Sequence, residues 1–308
     1  MKTWSREIGV AATIALLYAV LFFSGRTYFS AENFGDLFLA NLPVLIVALG
    51  MLLIILTGQI DISVGSQFAV CSVIAGVAAK AGMPVVLAGL ASCAAGALFG
   101  AIGGGFVAFL RIPSIVVTLA MMIALRDGLR WLTQGAWIED LPPGFHWLSM
   151  TQSRFTAAMA MLALVLVVAA ATGLRFFRAG RMVLATGSSE AASRIAGIRT
   201  ERVVFSVFTL TGALTGLAAA LNAVRFQQVP SNAGLGMEMK VIAAVVVGGA
   251  AITGGSGTVL GTLLGVILLG SVGTALTFLG VSAYWEQAIQ GAIILAAVAI
   301  NLAGRGRE

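Results

Sequence analysis

The chain alternates long apolar runs with short polar stretches, and that alternation sets the first expectation. Continuous apolar windows fall near residues 8–24, 37–57, 62–80, 84–110, 113–132, 155–173, 203–224, 239–252, 256–279 and 284–302. A helix rises about 1.5 Å per residue, so about 20 apolar residues cross a hydrocarbon layer of about 30 Å. Inside lipid only helices and closed barrels satisfy their own backbone polar groups. The pattern predicts an all-α integral membrane protein: a polytopic bundle of about ten transmembrane helices, forming a single transmembrane domain over residues 1–308. The fourth window is long and the eighth short, which predicts tilt, a break or a partial crossing there.

Composition agrees. Hydrophobic residues make up 59% and charged residues 10%, whereas an ordinary soluble domain carries about 25% charged residues. The net charge of +6 does not point to nucleic acid, because the Lys and Arg residues lie between apolar runs rather than along one polar face. They read as a topology signal. Arg175, Arg178, Arg181, Arg194, Arg199 and Arg202 make 174–202 the most basic loop, which the positive-inside bias places in the cytoplasm. Lys2 and Arg6 at one end and Arg305 and Arg307 at the other put both termini there too, and ten crossings satisfy that while leaving Arg111 inside. The loop at about 133–154, rich in Trp137, Trp147, Glu139, Asp140 and the Pro142-Pro143 pair, then faces the periplasm. Lys2 and Arg6 before Ile8–Phe23 imitate a signal peptide, but no small-residue cleavage site follows, so this segment is expected to remain as the first span.

Reactive chemistry is sparse. Cys71 and Cys93 sit inside apolar segments without ligand spacing and read as buried small side chains. His146, the single histidine, lies in a proline-rich loop with no nucleophile arranged around it. No Gly-x-x-x-x-Gly-Lys-Ser/Thr loop occurs, so ATP is not expected on this chain. Catalytic residues, metal ligands and cofactors are therefore expected to be none. Glycines at helical spacing, Gly96-Gly100-Gly104 and Gly257-Gly261-Gly265, predict grooves where helix backbones approach closely. Gly58, Ile62, Ser63, Gly65 and Ser66 recur at a constant offset as Gly248, Ile252, Thr253, Gly255 and Ser256, a faint internal repeat of the kind transporters use.

Two polar stretches carry the functional candidates. Thr57-Gly58-Gln59-Ile60-Asp61-Ile62-Ser63-Val64-Gly65-Ser66 interrupts two apolar runs. Placing Asp in a membrane is costly, so Gln59, Asp61, Ser63 and Gly65 are translocation or gate candidates. The alternative is that Asp61 or Ser63 caps the next helix. The second stretch runs from Gly187 to Ile198: Ser188 or Ser189 can cap, Glu190 favours a helix start, and Gly197 can end the helix left-handed. A short helix standing in a basic loop fits a docking element, and an ordinary interfacial helix is the alternative.

Glu190-Ala191-Ala192 followed by Gly197, with Arg194 between, resembles the coupling-loop motif of bacterial ATP-binding-cassette importer permeases, with one residue more than the commonest spacing. Gly58-Gln59-Ile60-Asp61-Ile62-Ser63-Val64-Gly65 is similar to a signature of the ribose-type sugar branch within the branched-chain amino acid/ribose superfamily, with Gln59 replacing a Gly. Arg111-Ile112-Pro113-Ser114-Ile115-Val116-Val117-Thr118-Leu119 and Val247-Gly248-Gly249 leading to Gly257 extend the match. Trp137-Ile138-Glu139-Asp140-Leu141-Pro142 and Gly236-Met237-Glu238-Met239-Lys240 look like the autoinducer-2 permease subgroup, with the rhamnose subgroup close by.

The resemblance implies a multi-pass inner-membrane subunit that imports a sugar or sugar-like solute such as autoinducer-2, rhamnose or ribose. Its implied partners are cytoplasmic ATP-binding subunits carrying ATP and Mg, a second permease copy or paralogue, and a periplasmic solute-binding protein. Hydroxyl-binding groups for such a solute are available in Asn222, Gln227, Gln228, Asn232 and Tyr284. The rivals are an ion-driven secondary carrier, for which Asp61 and Glu286 would be the intramembrane carboxylates, and a membrane subunit that transports nothing.

Overall fold

The structure is a computed structural model. It describes residues 2–24 and 26–280, together with 285, 288, 289, 291 and 292. Tyr284, Glu286, Arg305, Arg307 and most of the 284–302 window lie outside the described residues.

Helices dominate, and their ends follow local chemistry. In chain order they are α1 (Lys2–Ser24), α2 (Ala31–Leu56), α3 (Val64–Lys80), α4 (Val85–Ala108), α5 (Ser114–Thr133), α6 (Gln152–Phe176), α7 (Arg178–Ser188), α8 (Glu190–Ile195), α9 (Thr200–Ala223), α10 (Met237–Val247) and α11 (Val259–Phe278). Ser30 caps α2 by accepting the Asn33 N–H at 3.1 Å. Pro84 and Pro113 stand immediately before α4 and α5, where a missing N–H costs nothing and the fixed φ suits a helix entry. Nine of the ten apolar windows thus correspond to helices, although the eighth yields only the 11 residues of α10. At about 16 Å that helix is too short to cross a bilayer.

Five helices, α2, α4, α6, α9 and the first 18 residues of α11, are long and apolar enough to cross a membrane by length and composition. They divide into layers. The apolar window of α2 is 83% buried whereas that of α6 is 11% buried, so α2 forms the axis and α6 the rim. The Gly-rich face of α4 packs against α9: a methyl on Gly96 would overlap the Gly212 carbonyl, and one on Gly216 would overlap that of Ser92. In lipid, where apolar side chains gain nothing from leaving their solvent, such close backbone contact supplies the packing energy. The second predicted groove is filled likewise, with Gly261 on Gly248 and Gly265 on Ala244, so that α11 lies on α10. Ser92 Oγ ties the centre further, donating to the Gly216 carbonyl at 2.8 Å. Cys71 is buried and Cys93 half-buried, and both are free thiols.

One end of the bundle is closed by the segments 134–151 and 224–236. Ile138 and Val229 exchange backbone hydrogen bonds of 2.9 and 3.0 Å, and Arg225 donates to the Leu39 carbonyl at 2.7 Å. Burial lowers the Arg225 pKa from its ordinary value, and the Asp36 carboxylate acts the other way. His146 meets the ring of its neighbour Trp147 edge-on, with ring centres 5.3 Å apart. The opposite end carries α7 and α8.

Candidate coupling loop and solute path

The predicted docking helix forms as α8. Of the two candidate caps it is Ser189 that acts, accepting the Ala192 N–H at 3.2 Å, and Gly197 ends the helix with φ +80°. Glu190 and Arg194 pair across one turn at 2.6 Å. Arg194 also reaches Glu201 at 2.8 Å, and its Nε donates to Thr200 Oγ1 at 3.1 Å, whose hydroxyl in turn donates to Glu190 Oε1 at 3.2 Å. Arg111 approaches Glu201 at 3.5 Å. This network binds α8 to the start of α9 and to the connection between α4 and α5. With its charges so engaged, α8 presents Ala191, Ala192, Ala196 and above all Ile195, 89% exposed, as a small apolar face. Sequence reasoning named Glu190 and Arg194 but missed Ile195, Thr200 and Glu201, which carry no motif of their own.

Directly before α8, the end of α7 is wedged into the two repeat-related loops. Gly255 N–H donates to the Leu56 carbonyl at 3.0 Å, joining the loop after α10 to the end of α2. A methyl on Gly187 would overlap the Leu56 carbonyl oxygen and stand 2.7 Å from Gly255 N, while one on Gly254 would lie 2.9 Å from both Gly58 N and the Gly187 carbonyl. Three backbones therefore meet without side chains between them. Only Ser189 separates this joint from α8. Beside this joint, a cavity of about 470 Å³ brings Gln59 to the same walls as Glu190, Arg194, Arg111 and Glu201.

The remaining gate candidates separate from Gln59. Asp61 is buried and saturated: its Oδ1 accepts the Ser63 N–H at 2.8 Å and the Ser63 hydroxyl at 2.6 Å, and its Oδ2 accepts Gln67 Nε2 at 3.3 Å. Ser63 precedes α3 but makes no capping bond with its side chain. Asp61 thus organises the chain entering α3, a variant of the capping alternative in which the carboxylate serves Ser63 rather than the first turn. Gly65 meets a residue from the other recognised motif, since a methyl there would overlap Glu238 Oε2 and lie 2.6 Å from the Gly234 carbonyl. Glu238 is buried, pairs with Arg126 at 3.6 Å, and leaves its Oε2 without a hydrogen bond.

A further feature was not anticipated. The exposed stripe of α5 runs through Ile115, Leu119, Ile123, Asp127 and Trp131, one residue every turn. Asp127 is an exposed carboxylate on a stripe that is otherwise apolar, with Arg126 and Arg130 close to it along the helix. The signal existed in the sequence: Arg126, Asp127 and Arg130 interrupt the 113–132 window. Asp127 on α5 and Glu238 on α10 are thus two further carboxylates within the helical bundle beside Asp61. Among the described residues, no group of three or more His, Cys, Asp or Glu side chains could hold a metal ion.

The family model described as branched-chain amino acid transport system / permease component matches residues 33–298. The chain belongs to that family. It is similar to the autoinducer 2 import system permease protein of Enterobacter sp. (strain 638), 35% identical over 310 residues that cover 100% of this chain and 90% of the relative. The protein of that name from Yersinia pseudotuberculosis serotype O:1b is 35% identical over 94% of this chain and 83% of its own length. That from Escherichia coli (strain K12 / DH10B) is 34% identical over 96% and 87% respectively. No solved structure matches the chain significantly. Family membership and the apolar helices make it a multi-pass permease subunit of the bacterial inner membrane.

Proposed function

We propose that this chain is the permease of an ATP-driven importer that carries autoinducer-2 into the cytoplasm. The observation that supports the coupling half of this reading is the placement of α8 directly after α7, whose last turn forms the three-backbone joint, with an apolar knob at Ile195 facing outward. Cytoplasmic ATP-binding subunits press on Ala191, Ala192, Ile195 and Gly197, Glu190 and Arg194 keep α8 rigid, and the joint moves α2 and the loop after α10. ATP and Mg belong to those partner subunits. The loop 174–202 and both termini then face the cytoplasm, 133–154 faces a periplasmic solute-binding protein, and ten crossings complete the bundle.

Solute passes along the α5 stripe, between this chain and a second permease copy or paralogue. Asp127 there accepts hydrogen bonds from solute hydroxyls, and Gln59 lines the inner exit. The identity of the solute rests on the names of the relatives; ribose and rhamnose are its chemical competitors.

The test is uptake in cells lacking the chain, offered autoinducer-2, ribose or rhamnose, with the chain restored in a control. Loss of autoinducer-2 uptake alone, rescued by the chain, is expected. Loss of ribose or rhamnose uptake instead overturns the solute. Uptake that persists in ATP-depleted vesicles with a proton gradient overturns the ATP-driven mechanism.

A further inference from the structure

An apolar groove of about 1030 Å³ opens between α6, α7 and α9, over Leu49 and Leu53 of α2, and reaches Ala196, Gly197 and Ile198 at the end of α8. Its walls include Leu166 and Ala170 of α6 and Leu210 and Leu214 of α9, and its rim carries Arg178, Arg181, Arg199 and Arg202. All four arginines are exposed. Arg181 donates to the Phe176 carbonyl at 3.0 Å; among the described residues no carboxylate pairs with any of the four. Phe176 and Phe177, 65% and 63% exposed, stand beside them.

We infer that this groove binds an anionic phospholipid, its phosphate on the four arginines and its acyl chains along α6 and α9. Depth decides the occupant. From Arg202 to Leu214, α9 runs about 18 Å, more than half of a hydrocarbon layer of about 30 Å. A soluble subunit reaches the arginines but not those walls. A second copy of this chain, related by a two-fold axis, would set the same arginines against one another. An acyl chain reaches the walls from the bilayer itself, and its headgroup supplies the negative charge that the rim calls for. Basic clusters of this kind at the membrane surface gain on the order of fivefold in affinity per arginine.

The test is native mass spectrometry of the detergent-purified full chain, titrated with dioleoyl phosphatidylglycerol or dioleoyl phosphatidylcholine. Phosphatidylglycerol is expected to bind at least tenfold more tightly. A variant with Arg178→Gln, Arg181→Gln, Arg199→Gln and Arg202→Gln should lose that preference, and Leu210→Trp, which fills the groove and keeps the charges, should weaken both lipids. Lys80→Gln with Arg154→Gln, an equal kind of charge change elsewhere, should leave the preference intact. Unchanged selectivity in the four-arginine variant overturns the proposal. So does unchanged binding in Leu210→Trp, which would reduce the effect to surface charge, or an equal loss in the distant control. If the fourfold variant aggregates, Arg202→Gln and Leu210→Trp singly carry the same readout.

Discussion

Replacing Gly187 by Ala tests the rigid joint most directly. Gly187 lies in the last turn of α7 in a backbone conformation that alanine adopts freely, so on propensity alone the substitution would favour the helix by about 1 kcal/mol. Its methyl, however, would fall on the Leu56 carbonyl oxygen and within 2.7 Å of Gly255 N. Neither is the yielding end of a side chain, so relief requires moving α7 against α2 or the loop after α10. Overpacking of this kind costs roughly 1–3 kcal/mol. If about 2 kcal/mol of it is felt in only one of the two transport states, their ratio shifts by roughly 30-fold. In proteoliposomes holding the complete transporter, ATP-driven uptake should therefore fall more than tenfold while the ATP-binding subunits still co-purify. Gly105→Ala is the control, because nothing lies within 4 Å of the methyl that this change adds. Wild-type uptake in Gly187→Ala would show that the joint has slack and would remove it from the mechanism.

Other perturbations separate the remaining elements. Glu190→Lys replaces an exposed ion pair with Arg194 that is worth only about 0.5 kcal/mol, so membrane insertion should stand while co-purification of the ATP-binding subunit drops; normal co-purification would count against the interface. Asp127→Leu removes an exposed carboxylate close to the end of α5, where the cost on insertion scales falls below the roughly 2.5–3.5 kcal/mol of a helix centre, so insertion should be preserved while uptake falls at least tenfold. Unchanged uptake would take α5 out of the path. Arg126→Leu strands the buried Glu238 carboxylate, a loss of about 3–5 kcal/mol, which should appear as a lower Tm in detergent. Adding Glu238→Gln should recover most of it, and strict additivity of the two changes would refute the pairing.

Particular residues show where legibility ended. The apolar windows placed α1–α6, α9 and α11, because a segment that must satisfy its backbone in lipid has little choice but a helix. Gly96-Gly100-Gly104 announced a close packing face for the same reason, and Ser189, Glu190 and Gly197 spelled out the start and end of α8 through local capping that needs no distant partner. The partners themselves were not legible. That Gly104 faces Phe208, that Gly65 makes room for Glu238, and that Asp61 accepts hydrogen bonds from Ser63 and Gln67 all depend on how the chain folds back on itself. Asp127 could be counted but not oriented, since a helical residue's face is set by what packs around the helix. The sequence determined membrane, helices, sidedness signals and family, because those follow from local hydrophobicity, capping and motif. Only the tertiary structure decided which polar groups are consumed by the fold and which remain free to act, because hydrogen bonds and close backbone contacts are settled where the chain crosses itself.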